Sequence, residues 1–106
     1  MEKYILLMKW SYDYDKEGTW FDTDSGEEEY EIKEGESFRL PHINKYLEIT
    51  SVKREDETLL VEVYVDSHTV TVKNDEKEVT ASVSDSYSVA GDSVHQSLAL
   101  TFSVKA

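Results

Sequence analysis

Apolar residues recur at every second position along most of this chain, the spacing of half-buried β-strands. Between Val94 and Val104, the residues Val94, Gln96, Leu98, Leu100, Phe102 and Val104 share one face. His95, Ser97, Ala99, Thr101, Ser103 and Lys105 share the other. Val79, Ala81, Val83, Tyr87 and Val89 alternate with Thr80, Ser82, Ser84, Ser86 and Ser88, which predicts a long strand with a serine-rich outward face. Asp85 and Gln96 interrupt the inward rows, where hydrogen bonds near sheet ends would satisfy them.

Leu59, Val61, Val63 and Val65 form an inward row, and the phase then flips to Val70 and Val72. A one-residue slip exchanges the faces of a strand, so a tight turn or a bulge is expected at Asp66-Ser67-His68. Ile5 to Met8 is apolar on both faces, as in a central strand. Glu34-Gly35-Glu36 reads as a hairpin turn between strands at 29–33 and 37–40. Tyr46–Lys53 is a further strand. Arg54-Glu55-Asp56-Glu57, Asn74-Asp75-Glu76-Lys77 and Ala90-Gly91-Asp92 read as turns. Only 41–47 has any helical claim, one turn started by Pro41 with Ile43 and Leu47 four apart.

These elements give about eight short strands joined by two to six residues. Parallel strands need long crossovers, and the chain has no room for them. The expected fold is all-β, a mostly antiparallel β-sandwich in one domain over residues 1–106, with a small closed barrel as the alternative.

Composition narrows the chemistry. The chain has 106 residues, no cysteine, and 23 acidic against 11 basic side chains, a formal net charge of -12. Disulfides, cysteine-bound metals and thiol nucleophiles are excluded. No apolar run approaches the roughly 18–20 residues of a membrane helix, and the charge disfavours nucleic acid and anionic membranes. The apolar stretch Tyr4–Met8 is too short for a signal-peptide core, so a cytoplasmic protein is the expectation.

Residues 10–34 stand apart. They hold ten acids against Lys16 and Lys33, which is -8 of the -12, and six of the twelve aromatics. Residues 13–27, with Gly18 and Gly26, show little strand pattern and read as a long loop. Three readings compete. Trp20 and Phe21 tuck into the core and pin the loop. Alternatively, Trp10, Tyr12, Tyr14, Trp20, Glu27, Glu28, Glu29, Tyr30 and Glu31 form a face for a basic protein partner. The third is calcium. Asp22-Thr23-Asp24-Ser25-Gly26-Glu27 echoes a calcium loop, but glycine stands fifth and Lys33 twelfth, so it is no EF-hand. A looser set would be Asp13, Asp15, Asp22 and Asp24.

No catalytic frame emerges. His42, His68 and His95 lack metal-ligand spacing. His95 and Ser97 share a face, yet no G-x-S-x-G elbow is present. There is no phosphate-binding glycine loop and no cofactor motif. The expected function is a small acidic non-enzymatic interaction protein that binds a basic protein, inhibitor or immunity-like by analogy of size and charge. A nucleic-acid mimic is a variant of this idea. The alternative is a carbohydrate-binding sandwich module, calcium-assisted, with Trp10, Tyr12, Tyr14 and Trp20 as its platform. A third option is a β-rich oligomer pairing its edge strands.

Overall fold

The computed structural model describes residues 4–17, 20–74 and 78–105. Gly18 and the Asp75-Glu76-Lys77 part of the expected turn lie outside the described residues. The described chain is all-β, with eight strands and no helix: β1 (Ile5–Lys16), β2 (Trp20–Glu31), β3 (Ser37–Arg39), β4 (Tyr46–Glu55), β5 (Thr58–Val65), β6 (His68–Lys73), β7 (Val79–Val89) and β8 (Asp92–Lys105). They form two antiparallel sheets of four, ordered β2-β1-β8-β7 and β3-β4-β5-β6. This is a β-sandwich, and the described residues form no closed barrel. The strands are longer than expected, since five run for ten residues or more.

The alternation selects the core. Leu6, Met8 and Tyr12 from β1, Leu98, Leu100, Phe102 and Val104 from β8, and Val83 from β7 face Leu47, Ile49, Leu59, Val61, Val63, Val65 and Val72 of the second sheet. The apolar stretch at Ile5–Met8 fits its place, because β1 lies between β2 and β8. A shift of register between Ile49 and Ser51 moves the inward phase of β4 from odd to even positions, so that Val52 stands opposite Val61.

The phase flip at 66–68 is a turn. Asp66 and Ser67 both have positive φ, 47° and 68°, and β5 and β6 pair as a hairpin with Val65 opposite His68. Ala90 and Gly91, at φ 50° and 87°, close β7–β8 in the same way. Glu34-Gly35 does turn, with Gly35 at φ 89°, but it carries the chain from one sheet to the other instead of closing a hairpin. The 41–47 segment is not helical. Ile43 N–H donates to Pro41 O at 2.7 Å and Lys45 N–H to Ile43 O at 2.8 Å, both two residues back, and His42 has φ 64°.

The main surprise is the predicted loop at 13–27. Its residues 13–16 and 20–27 are the far half of a β1–β2 hairpin, in continuous register from Ile5↔Glu31 to Lys16↔Trp20. The first sheet is therefore much longer than the second, and the molecule measures 54 × 21 × 19 Å. The second sheet covers the inner face only part of the way. Past Tyr12 and Val83, the inward positions Tyr14, Trp20, Asp22, Asp85, Tyr87 and Val89 carry no covering sheet and are half-buried or exposed. Val94 is the exception, buried between its register neighbours Lys16 and Tyr87.

Candidate functional site

The edge strand β2 carries Asp22, Asp24, Glu27, Glu28, Glu29 and Glu31 and no basic residue. All of it is exposed except Gly26 and Tyr30, which are half-buried. Pairing with β1 fixes which side chain points where. Trp20, Asp22, Asp24, Gly26, Glu28 and Tyr30 share the inner face with Tyr12 and Tyr14. Phe21, Thr23, Ser25, Glu27, Glu29 and Glu31 share the outer face with Asp13 and Asp15.

This register divides the expected partner-binding set. Glu27, Glu29 and Glu31 lie on the outer face and Trp10, Tyr12, Tyr14, Trp20, Glu28 and Tyr30 on the inner one. Tyr12 is a correction: it is core, 5 % exposed, and burial raises its phenol pKa before the nearby Tyr87, Tyr14 and Asp22 add to the effect. Trp10 is half-buried, and its ring lies across Gly26, where a Cβ would stand 2.6 Å from Trp10 Cζ2. The Trp10 Nε1 atom is buried without a hydrogen-bond partner among the described residues, so that ring serves packing. Tyr30 packs on Phe38 with the rings tilted by 32° and 4.3 Å between centroids, which joins β2 to the second sheet. Burial, then Glu28, raises its pKa. A sugar platform of Trp10, Tyr12, Tyr14 and Trp20 is thereby reduced to Tyr14 and Trp20.

Trp20 and Phe21 do not enter the core. They are 64 % and 68 % exposed, on opposite faces of the hairpin end. The looser calcium set fails for the same geometric reason. Asp13 and Asp15 point to one side of the sheet and Asp22 and Asp24 to the other. Among the described residues no three His, Asp or Glu side chains are placed to hold a metal.

His42, a residue with no sequence signal beyond its neighbour Pro41, marks the end of the covered zone. Its ring stacks on Tyr12 at 4.4 Å and meets the Trp10 edge at 5.3 Å, while Nε2 donates to Asp24 Oδ2 at 2.7 Å. That bond, with the Ser25 N–H, holds the Asp24 carboxyl below its ordinary value. Two further ties brace the projection. Glu17, at φ 55°, donates its N–H to Ser93 O at 2.9 Å, and Ser93 N–H donates to Glu17 Oε1. Lys45 Nζ donates to Asp66 Oδ1 at 2.7 Å and to Ser84 O at 3.0 Å, fastening the second sheet to β7.

Each face of the projecting end has a concavity. The inner one, about 430 Å³, lies among Tyr14, Lys16, Glu17, Trp20 and Asp92. Beside it Tyr87 is exposed, and its hydroxyl meets Gln96 Nε2 at 3.3 Å. The outer one, about 400 Å³, is crossed by a row of register partners, Phe21, Asp15, His95 and Ser86. Ser86 Oγ and His95 Nδ1 are 2.9 Å apart. The order serine, histidine, aspartate invites comparison with a hydrolytic triad. However, Asp13 and Asp15 line the same cavity, and their carboxylates would repel a developing oxyanion. The pairing of Ser86 with His95 was open to sequence reasoning, because a two-residue turn at Ala90-Gly91 sets every β7–β8 partner.

No family model, no curated protein and no solved structure matches this chain.

Proposed function

We propose that this chain is a non-enzymatic interaction protein that docks a basic protein partner on its projecting β1–β2 hairpin, in the manner of an inhibitor or immunity protein. The observation that carries the reading is β2: an exposed twelve-residue edge strand with six carboxylates, no basic residue and exposed rings at its end. An edge strand offers unpaired N–H and C=O groups, a hazard that like charges suppress toward further copies of the same chain. The same charges steer a cationic partner toward it. Trp20 and Phe21, one on each face, supply the large apolar contacts that turn charge attraction into a specific complex.

The experiment is capture of a basic protein on the immobilised chain, its identification, and titration of the purified pair. Replacing Glu27, Glu28, Glu29 and Glu31 by lysine abolishes binding on this reading, and Trp20→Ala weakens it with no change of charge. Binding that survives the fourfold reversal removes the proposal. Binding that ignores Trp20→Ala and vanishes in moderate salt reduces it to unspecific attraction.

One observation favours a second reading, a carbohydrate-binding module. Tyr14, Trp20 and Tyr87 line the uncovered inner face near Gln96, an arrangement suited to stacking sugar rings. Tryptophan fluorescence unchanged across a broad glycan panel disposes of it.

A further inference from the structure

We propose that the outer-face cavity is a receptor for an arginine side chain of the basic partner, an inference that rests on the docking reading above. At about 400 Å³ the cavity falls within the size range of small-ligand sites. Its lining combines three kinds of group in a fixed array. Asp13 and Asp15 stand two residues apart on one face of β1, about 7 Å along the strand. Phe21 is the register partner of Asp15 on the edge side and is 68 % exposed. On the other side, His95 faces Asp15 and Ser97 faces Asp13, while Ser86 is held against His95 at 2.9 Å.

A ring beside a carboxylate is the pair a guanidinium satisfies best. Its plane stacks on the ring, while its edge donates several N–H bonds to the carboxylate and the hydroxyls around it. The lining favours a cationic donor, because the Asp13 and Asp15 carboxylates accept only and the serine hydroxyls beside them can accept as well. Lysine presents a compact, strongly hydrated charge that gives up more water to reach the same place and cannot stack. Phosphate and sulfate groups meet two aspartates and are repelled. A neutral sugar could use the ring and the hydroxyls, but it gains nothing from the field of a chain with net charge -12.

Position fits the docking reading. The cavity opens on the outer face, where Glu27, Glu29 and Glu31 also point, so one partner lying along that side of the hairpin would meet both. The acidic strand then supplies attraction and the cavity supplies the residue-specific anchor.

The test is an amide NMR titration of the full chain with N-acetyl-arginine amide and, separately, N-acetyl-lysine amide and glucose. Saturable shifts centred on Asp13, Asp15, Phe21 and His95 are expected with the arginine compound. Lysine amide should bind clearly more weakly, and glucose should leave these signals unmoved. Phe21→Ala should weaken arginine amide about 2–5-fold, as a cation–π contact at an exposed site predicts. Asp15→Asn should weaken it about tenfold, as loss of a charge-assisted hydrogen bond predicts. Phe21→Leu keeps the apolar bulk without the ring and separates folding from recognition. Equal response to arginine and lysine, shifts confined to β2 acids, or a site that prefers glucose overturns the receptor while leaving the docking hairpin standing. Saturable arginine binding in a chain that captures no basic protein keeps the receptor and removes the docking reading.

Discussion

Gly26→Ala probes the hairpin at its tightest point. The added methyl would lie 2.6 Å from Trp10 Cζ2 and 2.9 Å from Cε2. Comfortable carbon contacts are about 3.5–4.0 Å, so ring and strand must part by roughly 1 Å. The ring has little room to yield, because it packs against the core on one side and against His42 at 5.3 Å on the other. Overpacking of this kind costs about 1–3 kcal/mol, and the stiffer unfolded chain returns about 0.4–1 kcal/mol. The net expectation is a destabilisation of about 1–2 kcal/mol, or a Tm lower by roughly 4–16 °C at the sensitivity of small domains. Urea unfolding followed by circular dichroism measures it, with an unchanged slope showing that the denatured state is not the cause. The decisive comparison is Gly26→Ala in a Trp10→Leu background. There the clash is gone, and the substitution should be neutral or mildly stabilising. A cost that persists without the indole refutes the argument.

Other outcomes follow from the braces around the projection. Lys45→Met removes a part-buried cation from Asp66 and Ser84, and should cost about 1–2 kcal/mol in chemical denaturation. Asp66 is held below its ordinary pKa, first by the hydrogen bond from Lys45, and Asp24 by that from His42. Depressed carboxyls stabilise above their unfolded value of about 3.9, and that contribution disappears as pH falls through the folded one. The stability difference between the parent chain and Lys45→Met should therefore be constant from pH 7 to about 5 and shrink below about 4; a difference that widens in acid contradicts the assignment. Calcium at millimolar level should leave Tm where a chelator leaves it, since the sheet separates the aspartates; a clear rise would mean that native-state binding occurs after all.

Period-two alternation made the core legible wherever one face of a strand is buried. Val94–Val104, Val79–Val89 and Leu59–Val65 were readable for that reason, and so was the turn at Asp66-Ser67. Residues 20–29 were not. An edge strand solvated on both faces has no buried side to imprint a period, so Trp-Phe-Asp-Thr-Asp-Ser-Gly-Glu looks like a loop although it is fully paired on one side. The crossing at Glu34-Gly35 was hidden differently, because a tight turn looks alike whether the next strand joins the same sheet or the opposite one. For the site, crowding of acids and rings was visible in residues 10–34, but their division between two faces needed the β1–β2 register. That register turned Tyr12 inward and Trp20 and Phe21 outward to opposite sides. His42 reached Tyr12 and Asp24 only through a backbone at positive φ, which nothing local foretells.

The first and last strands are neighbours: Ile5 sits opposite Lys105, a separation of one hundred positions. Closing so large a loop costs entropy before any contact rewards it, and such topologies assemble slowly. During synthesis β2 can zip onto β1 early, but β1 has nothing on its other flank until β8 arrives. The cavity shared by β1, β2, β7 and β8 therefore requires that long-range β1–β8 ladder to be in place. The acidic hairpin is thus built from neighbouring stretches of chain, whereas the hollow on its outer side needs Asp15 set beside His95, eighty positions later.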